Sequence, residues 1–348
     1  MRRSIPRQRL LCFLMAVSVV CGIFAAPVPA QEASVADKLA QALDLYNDLD
    51  YDKGVAITQE LIARPDLTPY DSVAIYEVMS IITYAKGEQY LKQSIGYLQK
   101  ISEIGPCLTP LPQDIWPQEL RDKWYQILQS KNALSCGSTD PDVKTIAIMQ
   151  FDNYSTGPYQ EKLGLLSKGL ADFFAYDFAK ISSFKVIERD KIDYILKEIE
   201  LQKSGAVDKA TAVQVGKILG AKYMVFGSIT QLDDRHTRMV VRVVNVETSE
   251  IVALVDKEGK PDYSQMEKDL VGELSDKLNV SLGDNTRELL KQGGTASNDA
   301  ATLYSQGLAF MDKYDYKQAY EYFKKAYDMD NNFVEAKRKM EIYRPLAS

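Results

Sequence analysis

The stretch of this chain that most constrains its fold runs from Phe184 to Thr230, where two short apolar runs enclose two amphipathic segments. The first run, Phe184 to Ile187, predicts a short strand, and Asp190 stands where it can cap the helix that follows. Gly220 occupies the place where a second helix would end in the left-handed conformation. The unbroken apolar run from Tyr223 to Ile229 predicts a central strand that is buried on both faces.

The segments around this stretch extend the same domain. Ile146 to Phe151 predicts a strand on its N-terminal side. On its C-terminal side, Met239 to Val246 and Ile251 to Val255 predict a hairpin, and Tyr263 to Leu278 predicts a closing helix. We therefore expect an α+β domain, with helices packed on a mixed sheet, over residues 142–282.

Five segments of this domain resemble the CsgG/HfaB family, the family of curli-assembly and outer-membrane secretion proteins. They are IAIMQFDN (146–153), GLADFFAYDFAKISSFKVIER (169–189), ILKEIELQKSG (195–205), VGKILGAKYMVFGSI (215–229) and RVVNVETSEIV (242–252). All five lie within residues 142–280, which is under half of the chain. The resemblance implies a CsgG-like mixed-sheet domain and a role in assembling or regulating an envelope or secretion complex.

The segments on either side of this domain have the apolar spacing of helices. Residues 34–135 resemble degenerate tetratricopeptide repeats, and residues 283–299 have the glycine-rich polar composition of a linker. Residues 300–345 resemble one further tetratricopeptide repeat with a capping helix, because its signature offsets are occupied by Leu303, Gly307, Phe310, Ala319, Phe323 and Ala326. The predicted fold class is therefore α+β, with the CsgG-like domain flanked by all-α tetratricopeptide-like modules.

The helical modules predict protein partners. Concave repeat surfaces bind extended or helical peptides, and a single C-terminal repeat must dock on the N-terminal helices, another subunit or a partner. We assign protein contact to Glu188 and Arg189 in the central domain and to Tyr314 and Tyr322 in the C-terminal repeat. An ordinary surface ion pair is the alternative interpretation of Glu188 and Arg189. A homo-oligomer is also an open alternative.

The first 30 residues have the pattern of a secretory signal peptide. Arginines precede an uncharged run from Leu10 to Ala26, and small residues at Val28 and Ala30 fit a cleavage site. A membrane anchor is the alternative interpretation. Cleavage would remove four arginines and change the net charge from −6 to −10, which argues against nucleic-acid binding. We expect a periplasmic protein, with peripheral association at the outer membrane left open.

Two of the four cysteines, Cys107 and Cys136, would remain after cleavage. They bracket a proline-rich loop, which predicts a disulfide in an oxidising compartment, and two free thiols are the alternative. Well-known members of the CsgG/HfaB family, which this domain resembles, are lipoproteins. The bulky Val20 immediately before Cys21 argues against lipid attachment at Cys21.

The sequence predicts that the protein is not an enzyme. Its one histidine, His236, lies in a polar segment that predicts an exposed turn. The cysteines and the histidine lack the spacing of a metal site, and the glycines at 216, 220 and 227 lack the spacing of a dinucleotide loop. We therefore expect no cofactor, no metal and no small-molecule substrate.

Three functions remain after these exclusions. Pore-forming relatives insert two long hairpins into the outer membrane, but the corresponding segments here, Asp233 to Arg238 and Asp256 to Asp262, are short and polar. The first prediction is therefore a cell-envelope adaptor or scaffold without its own pore. The alternatives are a component of a curli-type export channel and a periplasmic activator of a cell-wall synthase.

Overall fold

A mixed six-stranded sheet lies at the centre of the computed structural model, which describes residues 33–108, 115–134, 143–200 and 209–347. Its strands are β1 (Lys144–Ile148), β2 (Asp152–Asn153), β3 (Phe184–Ile187), β4 (Tyr223–Asp233), β5 (His236–Asn245) and β6 (Ile251–Gly259). The order is β3-β1-β4-β5-β6, and β2 pairs with β4. The pairs among β1 to β4 are parallel, whereas β4, β5 and β6 are antiparallel. The predicted α+β fold class is confirmed.

Fourteen α-helices of the described residues surround this sheet. The N-terminal helices are α1 (Val35–Asn47), α2 (Tyr51–Ile62), α3 (Pro69–Ala85), α4 (Leu91–Ile104) and α5 (Gln118–Ser130). The helices of the central part are α6 (Pro158–Gly164), α7 (Leu166–Ala179), α8 (Arg189–Glu200), α9 (Lys209–Leu219) and α10 (Tyr263–Lys277). The C-terminal helices are α11 (Asp284–Leu290), α12 (Asn298–Met311), α13 (Tyr316–Met329) and α14 (Val334–Tyr343).

The two faces of the sheet belong to two different hydrophobic cores, because successive residues of a strand point to opposite faces. Ile148, Val225 and Val241 pack in one core with α7, α10 and the C-terminal helices. Met224 and Val244 pack in the other core with α8, α9 and the aromatic residues of α5. The two faces of the sheet are therefore covered by different sets of helices.

The segment from Phe184 to Thr230 is close to its prediction. Strand β3 has the predicted bounds, and Gly220 has a left-handed φ of 69° after α9. Strand β4 is central, with β1 on one side and β5 on the other. The predicted cap at Asp190 is wrong, because α8 begins one residue earlier. The carbonyl of Glu188 accepts hydrogen bonds from the backbone N–H groups of residues 191 and 192, which places Asp190 inside the first turn.

Strands β4 and β5 are both longer than predicted. The segment predicted as a polar loop, Asp233 to Arg238, is mostly strand, and β5 begins at His236. Polar and apolar residues alternate here, so that Gln231 and Thr237 are buried while Arg238 is exposed. An alternating pattern of this kind fits a strand with one solvated face.

The C-terminal helices dock on the rest of the chain. A Cβ atom on Gly307 of α12 would lie 2.6 Å from Cε1 of Phe323 on α13, so these two helices pack closely at the glycine. Tyr304 of α12 stacks on Phe173 of α7 with ring centroids 5.5 Å apart. The segment predicted as a linker, residues 283–299, contains the short helix α11.

The two ends of the described chain also meet. Tyr51 Oη donates a hydrogen bond to the carbonyl of Pro345 at 2.7 Å, and Arg344 Nη2 donates to the carbonyl of Asn47 at 3.2 Å. Val35–Ser348 forms one compact unit. Among the helices of the described residues, none combines the length and the apolar character that crossing a membrane requires.

Candidate functional site

A group of buried charges lies where α5, the start of α8 and the end of α12 meet. We call it the junction cluster, and its members are Arg121, Glu188, Arg189, Asp190 and Asp312. Arg121 projects from α5 with only 2% of its side chain exposed, and its Nε donates to Asp190 Oδ2 at 3.0 Å. The guanidinium also pairs with Glu188, which accepts a further hydrogen bond from Tyr125 Oη. Arg121 of the N-terminal helices therefore pairs with two carboxylates of the central domain.

Arg189 makes the corresponding connection to the C-terminal helices. Its Nη2 donates to Asp312 Oδ1 at 2.9 Å and to Asp190 Oδ1 at 3.2 Å. Lys168 of α7 pairs with the other carboxylate oxygen of Asp312. The junction cluster thus joins all three parts of the chain through charge-assisted hydrogen bonds.

Burial and charge act in opposition within this cluster. Burial opposes the charged form of Arg189, but Asp190 and Asp193 outweigh that effect and raise its pKa. Burial would raise the pKa of Asp190, yet Arg189 and Arg121 outweigh it and lower the pKa. Lys168 differs, because burial and the charge of Arg189 together lower its pKa to about 8. Arg189 and Asp190 are therefore a charged pair at neutral pH.

The structure places Glu188 and Arg189 inside the chain rather than on a free surface. Their carboxylate and guanidinium groups contact other modules of the same protein, which differs from a solvated surface pair, and the contact of these residues with a partner protein stays a prediction. Sequence reasoning missed their main partners, Arg121 and Asp312. These partners are 67 and 123 residues away, and no local periodicity encodes a pairing over that distance.

Tyr314 and Tyr322 lie in different surroundings. Tyr314 has a left-handed φ of 62° in the turn between α12 and α13, and its Oη donates to Asp122 Oδ2 at 2.5 Å. Tyr314 therefore fastens the C-terminal turn to α5. Tyr322 is half-buried on the outer side of α13, where it stacks on Phe310 at 5.2 Å and lies 4.8 Å from Lys325 Nζ. Tyr314 is 39% exposed despite this hydrogen bond, and Tyr322 belongs to a partly exposed aromatic and basic surface.

The structure describes one of the two cysteines of the predicted disulfide. Cys107 is disulfide-bonded. Cys136 lies outside the described residues, so the pairing of Cys107 with Cys136 stays a prediction. The signal peptide lies outside the described residues as well. Trp116, just before α5, and Trp124 of α5 are buried in the hydrophobic core.

A second candidate site is a solvent-exposed part of the sheet that sequence reasoning did not identify. We call it the open strip, and it consists of Arg238, Val240, Arg242, Val252, Leu254, Asp256 and Glu258. Cross-strand register brings them together, since Arg242 pairs with Leu254, Val240 with Asp256 and Arg238 with Glu258. Leu254 is 55% exposed. This face continues the side of the sheet that α8 and α9 cover near Met224.

Strand β6 is the edge of the sheet at the open strip. It pairs with β5 on one side, and the strand order ends there. Its first half is apolar and exposed at Ile251, Val252 and Leu254. Its second half is acidic, and Asp256 Oδ2 accepts a hydrogen bond from Arg238 Nη2 at 2.9 Å. An edge strand of this kind offers unpaired backbone groups to another extended segment.

The remaining chemistry of the described residues is sparse. His236 is exposed, and its Nδ1 lies 2.7 Å from Asp233 Oδ2 in the tight turn between β4 and β5. Within the part of the chain that the structure describes, no group of three His, Cys, Asp or Glu side chains could hold a metal ion.

Comparison with known proteins places the central part of the chain. The family model described as "Curli production assembly/transport component CsgG" matches residues 131–241, which extend from the end of α5 into β5. No curated protein matches the chain.

Three solved structures illustrate the structural similarity. The LpoB C-terminal domain from Salmonella enterica has 16% identity and a TM-score of 0.26, with 38% of this chain and 93% of that chain covered. TolB from Acinetobacter baumannii has 16% identity and a TM-score of 0.29, with 41% and 30% covered. The PelC dodecamer from Paraburkholderia phytofirmans has 12% identity and a TM-score of 0.27, with 42% and 94% covered. The similarity of residues 131–241 to the CsgG family rests on the family model, and the tetratricopeptide assignment of the helices stays a prediction.

Proposed function

We propose that this protein is a non-enzymatic adaptor or scaffold of the cell envelope that binds protein partners in outer-membrane secretion or envelope assembly. The family match of residues 131–241 supports the process. The observation that carries partner binding is the open strip beside the free edge of β6. The periplasmic location and the absence of an enzymatic activity are parts of this proposal.

The chemistry of the open strip indicates the kind of partner segment. A strand added to β6 would form main-chain hydrogen bonds along the edge, and its side chains would alternate between the two faces. On the open face it would meet apolar Val252 and Leu254 first and then the acidic Asp256 and Glu258. We therefore propose an extended partner segment in which a stretch of apolar residues adjoins lysine or arginine.

The C-terminal helices supply a second surface for the same function. Phe310 and Tyr322 stack at the outside of α12 and α13, and Lys313 Nζ lies 5.8 Å from the ring of Phe310. A surface with exposed aromatic area and two lysines suits an acidic partner segment. Within this proposal Glu188, Arg189 and Tyr314 hold the modules in position, and Tyr322 contacts the partner.

Site-specific photocrosslinking in living cells tests the open strip. A benzoyl-phenylalanine side chain replaces Leu254, and the matched control replaces Leu289 of α11, another leucine that is largely exposed. We expect a discrete adduct from position 254 and none from position 289. Cell fractionation of the same strains should place the adduct in the periplasm or the envelope.

The mass of the adduct separates the remaining alternatives. An adduct of two copies of this chain identifies a homo-oligomer, and a heavier or lighter adduct identifies another protein for mass spectrometry. An adduct with a cell-wall synthase would favour the activator alternative. Equal crosslinking at positions 254 and 289, or none at 254, would contradict a specific partner site at β6.

A further inference from the structure

The segment between α11 and α12 is held by two helices of the central domain. We call residues 292–295 the glycine turn, because its two glycines have left-handed φ angles of 82° and 71°. The carbonyl of Gln292 accepts hydrogen bonds from Lys180 Nζ at 2.6 Å and from Lys268 Nζ at 3.3 Å. These lysines belong to α7 and α10. The glycine turn is therefore attached to the helices that pack on the sheet.

Helix α14 holds the same turn. Both carboxylate oxygens of Glu335 accept a hydrogen bond from the backbone N–H of Gly294 at 3.0 Å. A Cβ atom on Gly294 would lie 2.0 Å from Ser264 Oγ of α10. One on Gly293 would lie 2.5 Å from Glu335 Oε1. Neither position has room for a side chain, so the turn is a close contact between the central domain and the C-terminal helices.

A group of buried charges lies next to this contact. Asp177 has 2% of its side chain exposed, and it accepts hydrogen bonds from Lys180 Nζ at 2.5 Å and from Lys268 Nζ at 2.8 Å. Glu267 of α10 is 1% exposed, and its Oε1 has no hydrogen-bond partner among the described residues. With Glu335, which is also buried, the site contains three carboxyl groups and two lysines.

The groups at the rim of this site leave its charge balance unchanged. Burial raises the pKa of Tyr176, so this residue of α7 stays neutral. The charged groups at the rim are partly or fully solvated, and two of their lysines already have acidic partners. They are Lys257 of β6 with Asp269 of α10, Lys291 with Glu288 of α11, and Arg338 of α14.

The buried site requires one proton. Three ionised carboxylates against two lysines would leave an uncompensated buried negative charge, which is costly. Asp177 already accepts from both lysines, and Glu335 accepts from the N–H of Gly294, so Glu267 is the group left to carry the proton. Burial raises the pKa of Glu267 well above its usual range, and Asp177 adds to this effect. Burial raises the pKa of Glu335 as well, but backbone hydrogen bonds oppose that change.

We propose that one proton on Glu267 keeps the glycine turn closed and that loss of this proton releases the turn. The ionised carboxylate of Glu267 would compete with the carbonyl of Gln292 for Lys268 and would repel Glu335. Water must enter to solvate the additional charge, and this requires the turn to move away. The C-terminal helices would then lose one of their attachments to the central domain. This proposal is independent of partner binding at β6.

Hydrogen–deuterium exchange of the full chain, measured from about pH 5 to about pH 9, tests the release of the turn. The reporter is the peptide that contains the amide of Gly294, which donates to Glu335 in the closed turn. Exchange times are corrected for the intrinsic dependence of exchange on pH. We expect protection of this amide to fall by at least about tenfold as pH rises through the folded-state pKa of Glu267, while the amides of β4 stay protected.

Variants assign the transition to one carboxyl group. Glu267→Gln cannot ionise, so its glycine turn should stay protected over the whole pH range. Glu267→Leu has the same property and takes its place if the glutamine variant does not fold. Glu273→Gln is the matched control on the same helix, since Glu273 is exposed, and it should keep the transition of the parent.

Each result decides the proposal. Loss of protection at Gly294 in the parent and in Glu273→Gln, but not in Glu267→Gln, supports it. Protection that does not change with pH in the parent overturns it. A transition that persists in Glu267→Gln overturns it as well, because another group then carries the proton. Simultaneous loss of protection in β4 also overturns it, since that result indicates unfolding of the whole chain.

Discussion

Glu267 of α10 is a buried carboxyl group at a position of charge conflict. Burial and the nearby Asp177 raise its pKa well above the usual range, and its Oε1 has no hydrogen-bond partner among the described residues. Asp177 is itself engaged by Lys180 and by Lys268, whose Nζ lies 2.8 Å from Asp177 Oδ2. The ionised form of Glu267 therefore destabilises the fold.

We predict that Glu267→Gln raises the free energy of unfolding at neutral pH by about 1 to 3 kcal/mol. The folded-state pKa is above the unfolded value, so the native protein binds this proton more tightly, and the wild type gains stability as pH falls. The advantage of the variant should shrink in denaturant titrations at lower pH. Glu273→Gln, an exposed change on the same helix, should have no effect. A destabilised Glu267→Gln would contradict the assigned charge conflict.

Arg121 gives the opposite prediction, because its charge is required. Arg121→Met would leave Glu188 without its cation and Asp190 with Arg189 alone, and breaking a buried pair costs about 3 to 5 kcal/mol. Arg64→Met is the control, since Arg64 pairs with the largely exposed Asp66 and should cost less than about 1 kcal/mol. Chemical denaturation measures both. Equal losses in the two variants would show that the junction cluster contributes no more than a surface pair.

The junction cluster also shows what the sequence could and could not predict at this scale. Glu188 and Arg189 stood out because they follow a strand and precede a helix. Their surroundings depend on how α5 and α12 dock on the central domain, which is decided by packing over long sequence distances. The patterns used for prediction are local, so they located these two residues but not their partners.

At the scale of elements, the contact between α12 and α13 depends on a missing side chain. Gly307→Ala would place a Cβ atom 2.6 Å from the ring of Phe323. We predict a loss of about 1 to 3 kcal/mol in the free energy of unfolding, because overpacking forces the two helices apart. Gly272→Ala in α10 is the matched control, since its Cβ meets no atom within 4 Å. It should stabilise the protein by about 0.5 to 1 kcal/mol.

Thermal or chemical unfolding of the two glycine variants distinguishes close packing from helix propensity. Propensity alone predicts that both alanines stabilise the protein. An increase in stability in Gly307→Ala would therefore contradict the close approach of α12 and α13 at Phe323.

Elements were predicted well where the apolar pattern was strong and less well where it alternated. The uninterrupted runs at β3 and at the start of β4 gave the correct strands. The ends of the hairpin were missed because Gln231 and Thr237 occupy inward positions that apolar residues usually fill. Gln231 is accommodated there by a hydrogen bond from Tyr263 Oη at 2.6 Å, a contact that no sequence pattern reveals.

At the scale of the whole molecule, the helical modules are parts of one unit with the sheet. Tyr84 of α3 donates to Glu119 at 2.7 Å, and the backbone N–H of Glu119 donates to Tyr316 Oη at 3.0 Å. Docking on the N-terminal helices was one of three predicted alternatives for the C-terminal segment, and contacts of this kind are present in the chain. These contacts cover part of the surface of the C-terminal helices, whereas the surfaces proposed above for partner binding, at β6 and at Tyr322 of α13, are exposed or half-buried.

The most direct test of the proposed function is hydrogen–deuterium exchange of β6. It compares the isolated chain with the complex that the chain forms, without a crosslink, with the partner identified by crosslinking. If a partner strand adds to the edge, the backbone amides of Val252 to Glu258 that exchange quickly in the isolated chain should slow by at least about tenfold in the complex. Unchanged exchange along β6, with new protection confined to the helices, would contradict partner binding at the sheet edge.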